Sequence, residues 1–283
     1  MMPEAMVTAA WLREHIEDPL VRVVEIQYEP DEFPYGDGHV PGALNWFWQD
    51  AFWHPTDRQF ATPQAMAEWL GRAGVTPEHT LVLYSGRSQY AMYGSWAFGT
   101  MCGHADIRVM GGGHRAWVGA GGELTRDVPS FEPVDYGTPA RSERVDDSRV
   151  SLEELRGLLG KDGVRILDAR YDEEYSGARV KPGTGVDHGA QRHGRIPGAQ
   201  SLPFRTLMDE AFRMKSLEEI EGLFRAVGAA PDQTDQVVVY CRLGHRASML
   251  WFVATHLLGW DHVRVYDGSW TEWGSVVGVP VEK

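Results

Sequence analysis

The chain of 283 residues has only two cysteines, Cys102 and Cys241, and they lie in unlike surroundings. Two such thiols make no disulfide framework, so a reducing compartment, the cytoplasm, is expected. Positive charge is also scarce: 27 Lys and Arg against 40 Asp and Glu leave a net charge of −13. That balance argues against nucleic acid or a membrane surface as partner. It also requires any anionic ligand to be drawn in by a local positive site. No apolar run approaches the length of a membrane span. Glu4, Arg13, Glu14, Glu17 and Asp18 interrupt the N-terminal residues, so no signal peptide is visible. No Cys or His pair falls at metal-ligand spacing, and His39, His188 and His193 read as solvated loop histidines. Gly111-Gly112-Gly113-His114 lacks the spacing and the lysine of a phosphate loop and reads as a tight turn. No metal or organic cofactor is implied.

What is present describes an ordinary globular protein, 43% hydrophobic and 24% charged, with length for about two domains. One stretch stands out: Val237-Val238-Val239-Tyr240-Cys241-Arg242-Leu243-Gly244-His245-Arg246. Four β-prone residues predict a short buried strand. A six-residue turn from Cys241 to Arg246 follows. Leu250, Val253, Ala254, Leu257 and Leu258 then recur at helical spacing. Cys241 is therefore expected where a strand hands over to a helix, where backbone N–H groups and the helix dipole favour negative charge. A thiol there, flanked by Arg242, His245 and Arg246, is expected to ionise easily and act as a nucleophile. The same cradle would bind a small oxyanion. Most cysteines beside a strand are inert packing groups, as Cys102 in its apolar stretch is expected to be. Core packing gives no reason for two arginines and a glycine directly after Cys241.

The chain also repeats itself. Thr8 and the strand Val21–Ile26 return as the capping box Ser151-Leu152-Glu153-Glu154 and the strand Val164–Ala169, 143 residues later. Gly38-His39-Val40-Pro41-Gly42-Ala43 returns as Gly194-Arg195-Ile196-Pro197-Gly198-Ala199, and Leu81–Tyr84 as Val237–Tyr240, both 156 residues later. The second half thus holds 13 extra residues, placed in the Gly- and His-rich stretch 177–193, which reads as an exposed loop. Each half alternates strand-like and helix-like runs, which predicts α/β domains with mainly parallel sheets flanked by helices. Residues 1–124 form the first domain, 125–147 a linker and 148–283 the second domain. The first copy has Ser85 opposite Cys241 and Gln89 opposite His245, so its turn reads as non-catalytic.

These residues resemble the tandem-domain rhodaneses, the thiosulfate sulfurtransferases, over nearly the whole chain. The likeness is carried by the Cys241 turn, by Tyr266-Asp267-Gly268-Ser269-Trp270-Thr271-Glu272-Trp273-Gly274, and by the two Gly-x-x-Pro-Gly-Ala segments. It implies a degenerate N-terminal domain and a catalytic C-terminal one, each rhodanese-like. A turn of six residues is similar to that of the sulfurtransferases, whereas phosphatases of the same fold have one residue more. Cys-Arg-x-Gly is similar to thiosulfate-type members and differs from the Cys-Gly-x-Gly of mercaptopyruvate-type ones. Leu243 stands where some members have a lysine that helps hold thiosulfate. Arg170 matches an arginine that reaches the cleft in the family. The resemblance implies a Cys241 persulfide, with Arg242, Leu243, Gly244, His245, Arg246 and Arg170 at the substrate, and with a small anionic sulfur donor and a thiophilic acceptor (cyanide or a thiol) as partners. A monomer is expected. A 3-mercaptopyruvate donor, a non-catalytic anion- or protein-binding module and a phosphatase are the competing readings.

Overall fold

A computed structural model describes residues 5–29, 33–139, 148–210 and 212–283. The chain divides at residue 145 into two compact units. The first contains β1 (Met6–Val7), α1 (Ala9–His15), β2 (Val21–Gln27), β3 (Leu44–Phe47), α2 (Trp48–Phe52), α3 (Pro63–Arg72), β4 (Thr80–Tyr84), α4 (Ser88–Ala97), β5 (Ile107–Met110) and α5 (Gly113–Gly119). Its sheet runs β1-β5-β4-β2-β3 with every pairing parallel. The second contains α6 (Leu152–Leu158), β6 (Val164–Asp168), α7 (Asp172–Tyr175), β7 (Gln200–Ser201), α8 (Leu217–Ala226), β8 (Gln236–Tyr240), α9 (His245–Phe252), β9 (Val263–Val265) and α10 (Ser269–Trp273). Its sheet runs β7-β6-β8-β9, again parallel. A parallel bridge from Arg149 to Val265 stands where β1 pairs with β5 in the first unit.

A parallel sheet is covered on both faces, so its central strands are apolar without alternation. Val237, Val238, Val239 and Tyr240 are accordingly all buried. Val238 and Tyr240 join Ile166, Ile196, Trp270 and Trp273 in one core cluster. The predicted caps are in place: Thr8 Oγ1 accepts from the Trp11 N–H, and Ser151 Oγ from the Glu154 N–H. The repeat in the sequence is also a repeat in register. Glu25 lies opposite Tyr84 between β2 and β4, and Asp168 lies opposite Tyr240 between β6 and β8. No helix among the described residues is long and apolar enough to cross a membrane.

Two expectations change. The turn after Cys241 is shorter than six residues, because α9 begins at His245. Gly244, with φ 99°, makes the sharp bend that allows this. His39 is not solvated: it is fully buried, stacked on Tyr35, with its ring nitrogens 3.0 Å from the Tyr35 carbonyl and 3.1 Å from that of Asp127. The stretch 177–193 exposes Val186 and His188 but is pinned from within, since the Asp187 carboxylate accepts from the Val180 and Lys181 N–H groups. Residues 131–136 run along the first unit: Val134 donates to the Gly71 carbonyl, and the Tyr136 hydroxyl lies 2.8 Å from His104 Nδ1. Residues 140–147, the last part of the stretch 125–147 read as a linker, lie outside the described residues.

Candidate active site

Cys241 follows the last residue of β8, at the carboxyl edge of the sheet, where ligands of parallel α/β sheets sit. The turn folds back so that the N–H groups of Leu243 and Gly244 point at Cys241 Sγ, at 3.4 and 3.1 Å. Both cysteines are buried, and their company separates them. Cys102 lies in a π-turn after α4, where burial pushes its thiol up to about 11. At Cys241 two backbone dipoles are aimed at the sulfur, an arrangement that favours negative charge on it.

A second layer holds the turn. The Cys241 N–H donates to Ser269 Oγ at 3.1 Å, and that hydroxyl donates to the Tyr266 carbonyl at 2.9 Å. The N–H groups of Trp270 and Thr271 donate to the carbonyls of Cys241 and Arg242 at 2.9 and 3.1 Å. Thr271 Oγ1 donates to the same Arg242 carbonyl at 2.6 Å. Ser269 adopts φ 54°, a left-handed conformation that costs a serine about 1 kcal/mol or more. The first turn of α10 therefore fixes the backbone of Cys241 from outside. From the sequence, Trp270 and Trp273 read mainly as packing and Asp267 as a turn former able to orient the loop, while Ser269 and Thr271 have no assigned part. The Asp267-Gly268 turn before Ser269 is the signal that could have marked them.

The cations are arranged otherwise than expected. Arg246 is buried and forms a two-point pair with Glu174, at 2.5 and 2.9 Å. Burial lowers its proton affinity, but Glu174 and then Cys241 raise it, and the balance lies above the ordinary arginine value. Arg170 is fully buried and paired with Asp168, whose Oδ2 lies 2.6 Å from its Nη2. Burial opposes its charge and Asp168 restores it, again with a net upward shift. Arg170 also donates to the Gly194 carbonyl and stacks over Trp270. Arg242 reaches the exposed stretch, with Nη2 3.4 Å from the His188 carbonyl. His245 is buried in the first turn of α9. Leu243 and Gly244 contribute their N–H groups, so the missing lysine side chain at Leu243 leaves the backbone cradle intact. Glu174 was not anticipated, because nothing local relates it to a residue 72 positions away. No group of three or more His, Cys, Asp or Glu among the described residues could hold a metal ion.

The first unit repeats the frame with other side chains at the turn. The Tyr84 hydroxyl donates to Glu25 and accepts from the Val40 N–H, as the Tyr240 hydroxyl does with Asp168 and the Ile196 N–H. Gln27 donates to Glu25 where Arg170 donates to Asp168. Ser85 replaces Cys241, however, and Tyr90 replaces Arg246, with its ring stacked on Tyr28 at 4.5 Å between centroids. Gly113 replaces Ser269, and a Cβ there would fall 2.3 Å from the Ser85 carbonyl oxygen.

The rhodanese-like domain family matches twice, over residues 8–120 and 151–275. The sulfur carrier protein TtuD of Thermus thermophilus is 39% identical over 282 residues, 99% of this chain and 97% of that protein. The thiosulfate sulfurtransferase of Corynebacterium glutamicum is 34% identical over 283 residues, 99% of this chain and 91% of that one. The solved structure of wild-type EanB superposes with a TM-score of 0.86 at 26% identity, covering 99% of this chain and 69% of that one. With two matched copies, two parallel sheets of one topology and a cysteine at the strand-to-helix turn of the second, the chain belongs to the rhodanese family as a tandem of two rhodanese-like domains.

Proposed function

We propose that the protein is a sulfurtransferase that carries sulfane sulfur on Cys241, taking it from thiosulfate and passing it to a thiophilic acceptor such as cyanide or a thiol. The second domain does the chemistry and the first domain has no catalytic role. The observation that carries this reading is the pair of N–H groups converging on Cys241 Sγ. They are placed to stabilise charge on the sulfur as it reacts, and the same turn would receive the charged outer sulfur afterwards. In the first step the Cys241 thiolate attacks the outer sulfur of thiosulfate. The S–S bond of the donor breaks, its electron pair leaves with sulfite, and a Cys241 persulfide anion remains. In the second step the acceptor attacks the outer sulfur and the Cys241 thiolate departs. A thiol acceptor becomes a persulfide; cyanide becomes thiocyanate. Each half-reaction exchanges one sulfur, so ping-pong kinetics follow. The guanidinium of Arg242 and the turn amides attract the donor's sulfonate, while Arg246 and Arg170 act through their carboxylate partners.

Relatives support both halves of the cycle. The Corynebacterium glutamicum protein is named for thiosulfate and the Thermus thermophilus protein for carrying sulfur. A solved EanB structure, 26% identical, holds ergothioneine covalently linked to a cysteine persulfide. Incubation with thiosulfate, followed by peptide mass analysis, is expected to show one added sulfur on Cys241 that a thiol removes. Absence of that adduct, with sulfur appearing instead from 3-mercaptopyruvate, would replace the donor. Absence with both donors, and no phosphate release from a phosphotyrosine mimic, would leave a binding module.

A further inference from the structure

We propose that Arg192 is a positioning residue that sets the place of Cys241 by clamping the far end of α10; this rests on the reading of Cys241 as the sulfur-bearing nucleophile. Arg192 lies near the end of the 177–193 stretch, the part of the second domain that is longer than its counterpart. Its guanidinium donates to three carbonyls at short range: Trp273 at 2.6 Å, Val276 at 2.7 Å and Val279 at 2.7 Å. A fourth, longer bond runs from its Nε to Gly274 at 3.3 Å. The Arg192 N–H also donates to the Gly274 carbonyl, and its own carbonyl accepts from Trp270 Nε1 at 3.0 Å. The last carbonyls of a helix have no partner inside it. Here one planar fork takes the Trp273 carbonyl at the end of α10 and two carbonyls of the chain beyond it, and a charged donor makes such bonds strong.

The other end of α10 holds the nucleophile. Ser269 Oγ, the Trp270 N–H and the Thr271 N–H bond to the backbone of Cys241 and Arg242. Five residues of helix thus connect Arg192 to the cradle, with no flexible loop between them. The first domain offers a comparison. Gly36 stands opposite Arg192 in the repeat, and the end of α5 is closed by the following N–H groups of Ala120, Gly121 and Gly122. A guanidinium from another element also reaches this place in the first copy, where Arg13 donates to the Ala120 carbonyl, the counterpart of Val276, but Arg192 takes three carbonyls at short range where Arg13 takes one.

The test is the rate at which iodoacetamide alkylates Cys241 in the whole chain, measured against pH and resolved from Cys102 by peptide mass. Wild type, Arg192→Lys, Arg192→Ala, Ser269→Ala and the Arg192→Ala/Ser269→Ala double variant are compared, with folding followed by circular dichroism. Displacing the cradle is expected to slow alkylation at neutral pH about ten- to a hundredfold in Arg192→Ala and to move the rate profile to higher pH. Arg192→Lys is expected to recover part of the rate. The double variant is expected to match Ser269→Ala, since both residues act along one path. A folded Arg192→Ala that melts lower but keeps the wild-type profile overturns the proposal, as does a double variant whose losses multiply. Should Arg192→Ala not fold, Arg192→Lys decides on the same criterion: a wild-type profile overturns it and a slowed one supports it. Thiosulfate loading of wild type is run beside it. Normal alkylation without sulfur uptake would refute sulfur transfer while leaving the clamp standing.

Discussion

Ser269 and Gly113 occupy equivalent places in the two domains with nearly the same left-handed backbone, φ 54° and 53°. The glycine holds that conformation without strain; the serine holds it while its hydroxyl accepts the Cys241 N–H. Two substitutions separate strain from function. Ser269→Gly is expected to be about 1 kcal/mol more stable than Ser269→Ala, because it alone relieves the backbone. Both are expected to load sulfur more slowly than wild type, because both lose the hydroxyl. Denaturant unfolding and thiosulfate loading measure the two effects; equal stability of the variants would show that the strain is not real.

Cys241→Ser is expected to abolish persulfide formation and to reduce turnover by about a thousandfold or more, since an entire covalent step is lost. Cys102→Ser is expected to leave turnover near wild type. Its thiol is buried and its proton is held up to about 11, so it offers little thiolate. Steady-state rates with thiosulfate and cyanide check both.

Glu174→Gln should expose what the buried pair with Arg246 does. Removing one charge strands the other away from water, at an expected cost of about 3–5 kcal/mol. Replacing both residues, as Glu174→Gln with Arg246→Met, is expected to recover much of that stability without restoring sulfur loading. Thermal melts and mass analysis of the adduct separate the two; full loading by the double variant would remove Arg246 from the site.

Acid should weaken the first domain before the carboxylates titrate. Burial lowers the proton affinity of His104, and burial followed by Arg22 lowers that of His79. The unfolded chain takes up protons near the ordinary histidine value of about 6.5, while the folded domain does so only at lower pH. Stability is therefore expected to be level above that value and to fall as pH drops below it. Melting temperatures at pH 7.5, 6 and 5 test this, with His104→Asn expected to flatten the slope.

Some of this was legible because it is local or periodic. Val237 to Tyr240 form a strand from their own β preference and burial, and Gly244 makes the bend that starts a helix. Repetition at fixed spacing marked two copies of one domain, and Ser85 in place of Cys241 marked where the copies differ. The sequence determined the elements, their doubling and the position of Cys241 at the end of a strand. Tertiary structure alone decided how Cys241 is held. Glu174 meets Arg246 across 72 residues, Ser269 meets Cys241 across 28, and Arg192 reaches Trp273 across 81. Such pairings depend on which strand ends and loops the sheet order brings together. A buried guanidinium then settles on the nearest carboxylate or carbonyl, because leaving it unpaired away from water costs more than any attraction to a distant thiol repays.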